Sequence, residues 1–194
     1  HPENFYYSGL LRPVDTNKST GFTQSDKKKI QVLLISEPLV SAEEILPYIK
    51  KIIECDEFEL GIKIRPMIKD KFYEQLKDLY PEIEAIPKYD GKILEDGKNF
   101  DIFIGSNSTA LLEASLIGKI SIAVETKKWG DYFSFNELVH ETNLLVCNSS
   151  EICESIKYRF QNEHDLKTIK LIKNKFFGEG KDGTHWIIQE ISKD

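Results

Sequence analysis

The chain is short of the residues that most often announce a function. Its 194 residues include 3 cysteines, 2 tryptophans and 1 methionine, and Arg12, Arg65 and Arg159 are its only arginines. Cys55, Cys147 and Cys153 are odd in number and show no C-x-x-C spacing, which favours reduced thiols over a disulfide framework and makes the expected compartment cytoplasmic. The histidines, His1, His140, His164 and His185, are too far apart for a metal-ligand spacing. No Asp-x-Asp or clustered carboxylate motif occurs where a site is expected, so neither a metal nor another cofactor is expected. No apolar run approaches the ~20 residues of a membrane-spanning helix, and no signal-peptide pattern is visible. Positive charge is also in deficit. With 26 Lys and Arg against 32 Asp and Glu, the net charge of -6 supplies no basic face for a nucleic acid.

What is present is a regular alternation of apolar runs and amphipathic stretches, with 40% hydrophobic and 30% charged residues, ordinary for a globular domain with one sizeable core. Ile30 to Ile35 reads as a buried strand. Ser41-Ala-Glu-Glu opens a helix to about Cys55 with a capping-box pattern. Phe58 to Arg65 alternates as a second strand, and Lys69 to about Tyr80 is an amphipathic helix stopped by Pro81. Ile83 to Ile86 is expected as a third strand, and Ile93 to Asp96 as at most one helical turn. Asp101 to Ile104 is the fourth strand, followed by a helix from Asn107 to Ile117 with Gly118 at its C′ position. Ile120 to Val124 and Leu144 to Cys147 are the fifth and sixth strands. Helices are expected from about Ser150 to Phe160, His164 to Phe176 and Thr184 to Ile191.

Strands joined by crossover helices predict an α/β fold, a single doubly wound Rossmann-like domain. The expected sheet is six-stranded and parallel, in the order 3-2-1-4-5-6. Ligands bind such sheets at the carboxyl ends of the strands, near the switch point between strands 1 and 4. Ser36 and Glu37 end strand 1, Lys63 and Arg65 lie near the end of strand 2, Pro87 and Lys88 end strand 3, and Glu125 and Thr126 end strand 5. Ser36, Lys88 and Glu125 are therefore candidate ligand contacts. Arg65 is the strongest phosphate partner among the strand-end residues, since a guanidinium grips two phosphate oxygens at once; a solvated residue or a salt bridge to Glu37 is the alternative. The aromatic segment Lys127 to Phe135 follows strand 5, with Trp129 and Asp131 as candidate ligand contacts and Tyr132, Phe133 and Phe135 better suited to packing. Lys27-Lys-Lys29 reads as a solvated linker end, since membrane contact usually needs more charge or a lipid.

Strand 4 ends in the most informative stretch, Gly105-Ser-Asn-Ser-Thr-Ala-Leu-Leu-Glu113. Gly105 permits a sharp turn, and Ser106, Asn107, Ser108 and Thr109 set hydroxyl and amide groups where a helix begins. Backbone N–H groups left over at a helix start, together with its positive dipole end, suit a phosphate. Glu113 falls one helical turn after Thr109 on the same face, placed for the paired hydroxyls of a ribose. From the turn alone, an ordinary N-cap at Ser106 or Asn107 with a solvated Glu113 is an equal alternative.

Gly105-Ser-Asn-Ser-Thr-Ala-Leu-Leu-Glu-Ala-Ser-Leu-Ile-Gly-Lys119 resembles the donor-site segment of glycosyltransferases with two facing Rossmann-like domains, the GT-B architecture, especially bacterial enzymes of surface polysaccharides. The resemblance implies that Ser106, Ser108 and Thr109 contact the donor's phosphates and Glu113 its ribose. A related pattern occurs in nucleotide-sugar epimerases of the same architecture. Where similar transferases carry a basic-Pro-His-Pro pattern, this sequence has Arg65-Pro66-Met67, so no role passes to a histidine. Residues 1 to 27 do not fit the alternation, and Asn4 to Pro13 looks like the crossover into a GT-B C-terminal domain; the Rossmann-like domain is expected over 28 to 194. Phe176 to Thr184 resembles the closing segment of such enzymes.

The resemblance therefore implies the nucleotide-sugar-binding half of a longer glycosyltransferase of cell-surface or secreted glycans. The glycan or glycolipid acceptor, the catalytic base and any peripheral membrane contact would come through a facing N-terminal domain. Alone, the chain is expected to bind donor weakly and transfer little. Robust transfer by the chain alone would point to Glu37, Glu125 or Asp131 as the base. A binding subunit of a split glycosyltransferase and half of a nucleotide-sugar epimerase remain open. A response-regulator receiver fits less well, because no paired aspartates follow strand 1.

Overall fold

A computed structural model of the protein describes residues 29–37, 39–65, 70–91, 93, 97–116, 118–130, 145–146 and 148–162. The strands are β1 (Ile30–Ile35), β2 (Phe58–Lys63), β3 (Lys88–Tyr89), β4 (Ile102–Gly105) and β5 (Ile120–Val124). The helices are α1 (Ala42–Ile53), α2 (Lys71–Leu79), α3 (Thr109–Leu116) and α4 (Ile152–Asn162). The fold is α/β. The parallel sheet runs in the order β3-β2-β1-β4-β5, compatible with a Rossmann-like type, and the two-residue segment Leu145–Val146 lies parallel beside β5.

β1 sits at the centre because its run of Val32, Leu33, Leu34 and Ile35 is buried on both faces, as a strand covered by helices on both sides requires. Val32, Leu34, Ile62, Ile102, Ile104, Ile122 and Val124 join one core with Ile45, Ile49 and Ile52 of α1, Phe72 and Leu76 of α2, and Ile152 and Ile156 of α4. The alternate residues Leu33 and Phe103 are fully buried, and on their face Phe103 meets Phe100 edge-on at 6.5 Å between ring centroids. α1 packs between α2 and α4, while α3 lies on β4 and β5.

Helix ends follow local chemistry. Ser41 caps α1 by accepting from the Glu43 N–H at 3.2 Å. Glu44, expected to complete a capping box, accepts from the Lys127 N–H. After α3, Gly118 adopts φ 76 and the Lys119 N–H reaches back to the Ala114 carbonyl at 3.0 Å, the closure expected of a helix-terminating glycine.

Two expectations change. Ile83 to Ile86 is not a strand: Pro81–Ala85 forms a 3-10 helix that buries Ile83, and the third strand is Lys88–Tyr89, paired to Ile62 and Lys63. Proline fixes φ for a helical start, and the buried isoleucine serves the turn, not a ladder. The expected strand from Leu144 to Cys147 is described only as the Leu145–Val146 pair. The expected crossover segment 1–27, the aromatic stretch from Asp131 to Phe135 and the two final helices lie outside the described residues.

Candidate functional site

The sheet interior is apolar, yet its carboxyl-terminal rim is not. Ser36, Glu37, Lys63, Asp70, Ser106 and Thr126 are all buried there. Burying polar groups is costly unless they are hydrogen-bonded; Lys63 donates to the Ile64 carbonyl at 3.0 Å, and two carboxylates organise much of the rest.

Asp70 holds the β2 side. It caps α2 by accepting from the Tyr73 N–H at 3.1 Å, and its other oxygen accepts from the Arg65 N–H at 2.9 Å and the Ser36 hydroxyl at 2.5 Å. One side chain thus ties the ends of β1 and β2 to the start of α2. Ser36, a candidate ligand contact by sequence, has its hydroxyl committed inside the fold.

Glu37 holds the β4 side. Its carboxylate, 1% exposed, accepts from the Ser106 N–H and from the Asn107 N–H at 2.7 Å, and the Ser108 N–H also bears on it. The turn after β4 therefore does gather backbone N–H groups around an anion, and that anion is the protein's own carboxylate. Burial pushes the Glu37 carboxyl above its ordinary range, against the opposing pull of the Asn107, Ser106 and Ser108 N–H groups and the Arg65 charge. Ser106 completes the seam, with its hydroxyl 3.4 Å from the Thr126 hydroxyl at the end of β5.

Gly105 has a different purpose from the one its sequence context suggests. It is the last residue of β4, and a Cβ there would lie 2.5 Å from Glu37 Oε1. The glycine makes room for the carboxylate.

The turn's hydroxyls divide in the same way. Ser108 is the cap of α3, its Oγ accepting from the Ala110 N–H at 3.3 Å; sequence reasoning had offered Ser106 or Asn107. Thr109 is exposed and begins the helix, and Glu113 is half-buried one turn on. Arg65 is exposed and its charge reaches Glu37. The structure thus brings Arg65, Glu37 and the turn from Gly105 to Asn107 together at the junction of β1 and β4. Lys88 stands apart, its ammonium 4.8 Å over the Tyr73 ring. Glu125 is exposed beyond β5 and, with Glu43, Glu44, Tyr48 and Thr126, lines an open cleft of about 550 Å³. The Trp129 indole N–H donates to the Leu39 carbonyl at 2.8 Å, and the ring is partly packed on the core.

Sequence reasoning missed Asp70 as an organising residue and saw Glu37 only as a strand end. A cap signal for Asp70 was present in its position directly before Lys71-Phe72-Tyr73. Among the described residues, no group of three or more His, Cys, Asp or Glu side chains is gathered as a metal would need, and no helix is long and apolar enough to cross a membrane. No protein-family model and no curated protein matches the chain.

Proposed function

We propose that this domain binds the nucleotide sugar of a glycosyltransferase at the carboxyl-terminal rim, with Leu145–Val146 as the sixth strand of a GT-B-type Rossmann-like sheet. The observation that carries the reading is the hydroxyl-rich turn at the β1–β4 junction, whose N–H groups already stabilise a carboxylate beside an exposed arginine. In sheets of this order the junction is the general ligand position. Because Glu37 occupies the Ser106 and Asn107 N–H groups, a donor diphosphate is met by the Thr109 hydroxyl and the Arg65 guanidinium, or takes the carboxylate's place. Glu113, one turn along α3, takes the ribose hydroxyls. Stabilising the departing phosphate with fixed donors is the domain's contribution to transfer, and an acceptor-binding partner domain supplies the rest.

A second reading draws on Glu37. Half of a nucleotide-sugar epimerase needs an acid or base in this cleft, and a buried carboxyl with a raised pKa fits that description. Both of its oxygens are engaged by backbone donors, however, so the transferase reading leads.

The test is a titration with UDP, GDP and CMP followed by NMR. Shifts centred on residues 105–113, with weaker binding in Glu113→Ala and Arg65→Lys at unchanged stability, support donor binding; lysine cannot reproduce a bidentate grip. Shifts confined to other surfaces overturn it. Exchange of solvent deuterium into a bound sugar, absent in Glu37→Gln, selects the epimerase reading.

A further inference from the structure

The rim does not account for two thiols on the far side of α1. Cys55 follows the end of α1 and Cys153 is the second residue of α4; they are 98 positions apart in sequence, and both are partly exposed free thiols. The Cys153 thiol donates to the Lys51 carbonyl in the last turn of α1 at 3.3 Å, and the chain closes that end with the Cys55 N–H donating to the Ile52 carbonyl at 3.2 Å. The Cys55 thiol donates to Glu57 Oε2 at 3.6 Å, and that same oxygen pairs with Lys157 of α4. The two sulfurs are close enough for the Cys55 thiol to bear on the ionisation of Cys153. A packed helix pair, one thiol on the other helix's last turn and an ion pair across the same joint bring the two cysteines to one place in the fold.

We propose that Cys55 and Cys153 are a dithiol that a two-electron oxidant of the disulfide class closes into an intramolecular disulfide, pinning the end of α1 to the start of α4. With oxidised glutathione as the oxidant, one protein thiolate attacks a glutathione sulfur, the S–S bond breaks, and glutathione thiolate leaves and takes a proton from water. The second thiol gives its proton to water and its thiolate attacks the protein-side sulfur of the mixed disulfide, releasing the second glutathione. Two protein thiols lose two electrons and two protons, and one oxidised glutathione becomes two reduced molecules. Burial and the neighbouring Cys55 hold the Cys153 thiol above its ordinary range, against Lys157 and Lys51; closure is therefore slow at neutral pH and quickens as pH rises, since the thiolate is the nucleophile.

The experiment incubates the folded protein with oxidised glutathione, alkylates residual thiols, and reads the intact mass and a non-reducing peptide map. Wild type and Cys147→Ser should each lose two hydrogens, yield a Cys55–Cys153 peptide, and unfold at a higher temperature than their reduced forms, because the crosslink closes a long loop. Cys55→Ser and Cys153→Ala should instead retain a glutathione adduct or a free thiol. Circular dichroism confirms that these variants fold; should either fail, Cys147→Ser decides alone, since it has no other thiol pair. Persistent glutathione adducts on Cys55 or Cys153 of native wild type, a crosslink to Cys147, or disulfides between chains overturn the proposal.

Discussion

The amino ends of α1 and α3 solve one electrostatic problem in opposite ways. α1 carries its own answer: Ser41 caps it, and Glu43 and Glu44 stand in its first turn. α3 has no acidic residue in its first turn and takes its negative charge from Glu37, which reaches the turn from the other side of the β1–β4 junction. Exposed charges near a helix start contribute only about 0.3–1 kcal/mol. A buried carboxylate costs more to hold and is worth more to its partners, since each buried N–H it satisfies would otherwise be orphaned. The lesson is that α3 begins at a seat dry enough for an anion to matter, whereas α1 begins at the solvent boundary.

The sharpest way to break that contrast is Glu37→Ala. Removing the carboxylate leaves the buried Ser106 N–H and the half-buried Asn107 N–H without their acceptor, and denaturant unfolding should show a loss of about 2–4 kcal/mol. Phosphate or sulfate should restore part of that stability by entering the vacated seat. Equal stability in the variant and wild type, or no response to either anion, would return the α3 start to the ordinary kind that α1 represents.

Gly105→Ala tests the same seat from beneath. Its methyl group would lie 2.5 Å from the Glu37 oxygen, so the variant should lose about 1–3 kcal/mol, as overpacking does. Made in the Glu37→Ala background, the same change should cost much less, and a double-mutant cycle measures the difference. Additive costs would mean that Gly105 is small for some other neighbour.

The contrast between the two helix starts also marks what could be read in the sequence. Ile30 to Ile35 and Ile120 to Val124 were read with the observed bounds, because a short continuous apolar run bounded by polar residues has few other uses. The third strand was not legible. Lys88–Tyr89 is a two-residue edge strand with no periodicity to display, while the nearby apolar signal belonged to Ile83 of a 3-10 turn. At the site, the Ser-Asn-Ser-Thr turn announced an anion seat, and Arg65, expected as a phosphate partner or as a salt bridge to Glu37, carries a charge that reaches the Glu37 carboxyl. The occupant stayed hidden because Glu37 and its N–H partners are 69 and 70 positions apart. Nothing local marks such a pairing, and it becomes visible only when β1 and β4 lie side by side.

A smaller effect separates the carboxylates by pH. The folded state raises the Glu37 pKa, so native protein holds this proton more tightly than unfolded chain. Its contribution is fully present below the ordinary glutamate value of 4.5 and is lost as pH rises through the raised value, at about 1.4 kcal/mol per unit of displacement. Glu57 and Glu84 act in the opposite sense, lowered by Lys157 and Lys77 respectively, but both are exposed and screened by salt. Unfolding free energies measured from pH 4 to 8 at high salt should therefore fall more steeply for wild type than for Glu37→Gln. Parallel curves would remove Glu37 as the source.

The smallest effect belongs to the α1 start. Ser41→Ala removes one exposed cap whose acceptor reaches the Glu43 N–H at 3.2 Å, and water can take its place. The expected loss is about 1 kcal/mol, the usual value for a cap. Because the freed donors are hydrated and Glu43 and Glu44 repel anions, neither sulfate nor phosphate should restore what is lost. Any nucleoside diphosphate binding should also stay at the wild-type level, since the proposed Arg65, Glu113 and Thr109 surface is untouched. Anion rescue of Ser41→Ala comparable to that of Glu37→Ala would show that the two helix starts are equivalent seats, and burial at the β1–β4 junction would then no longer distinguish the candidate site.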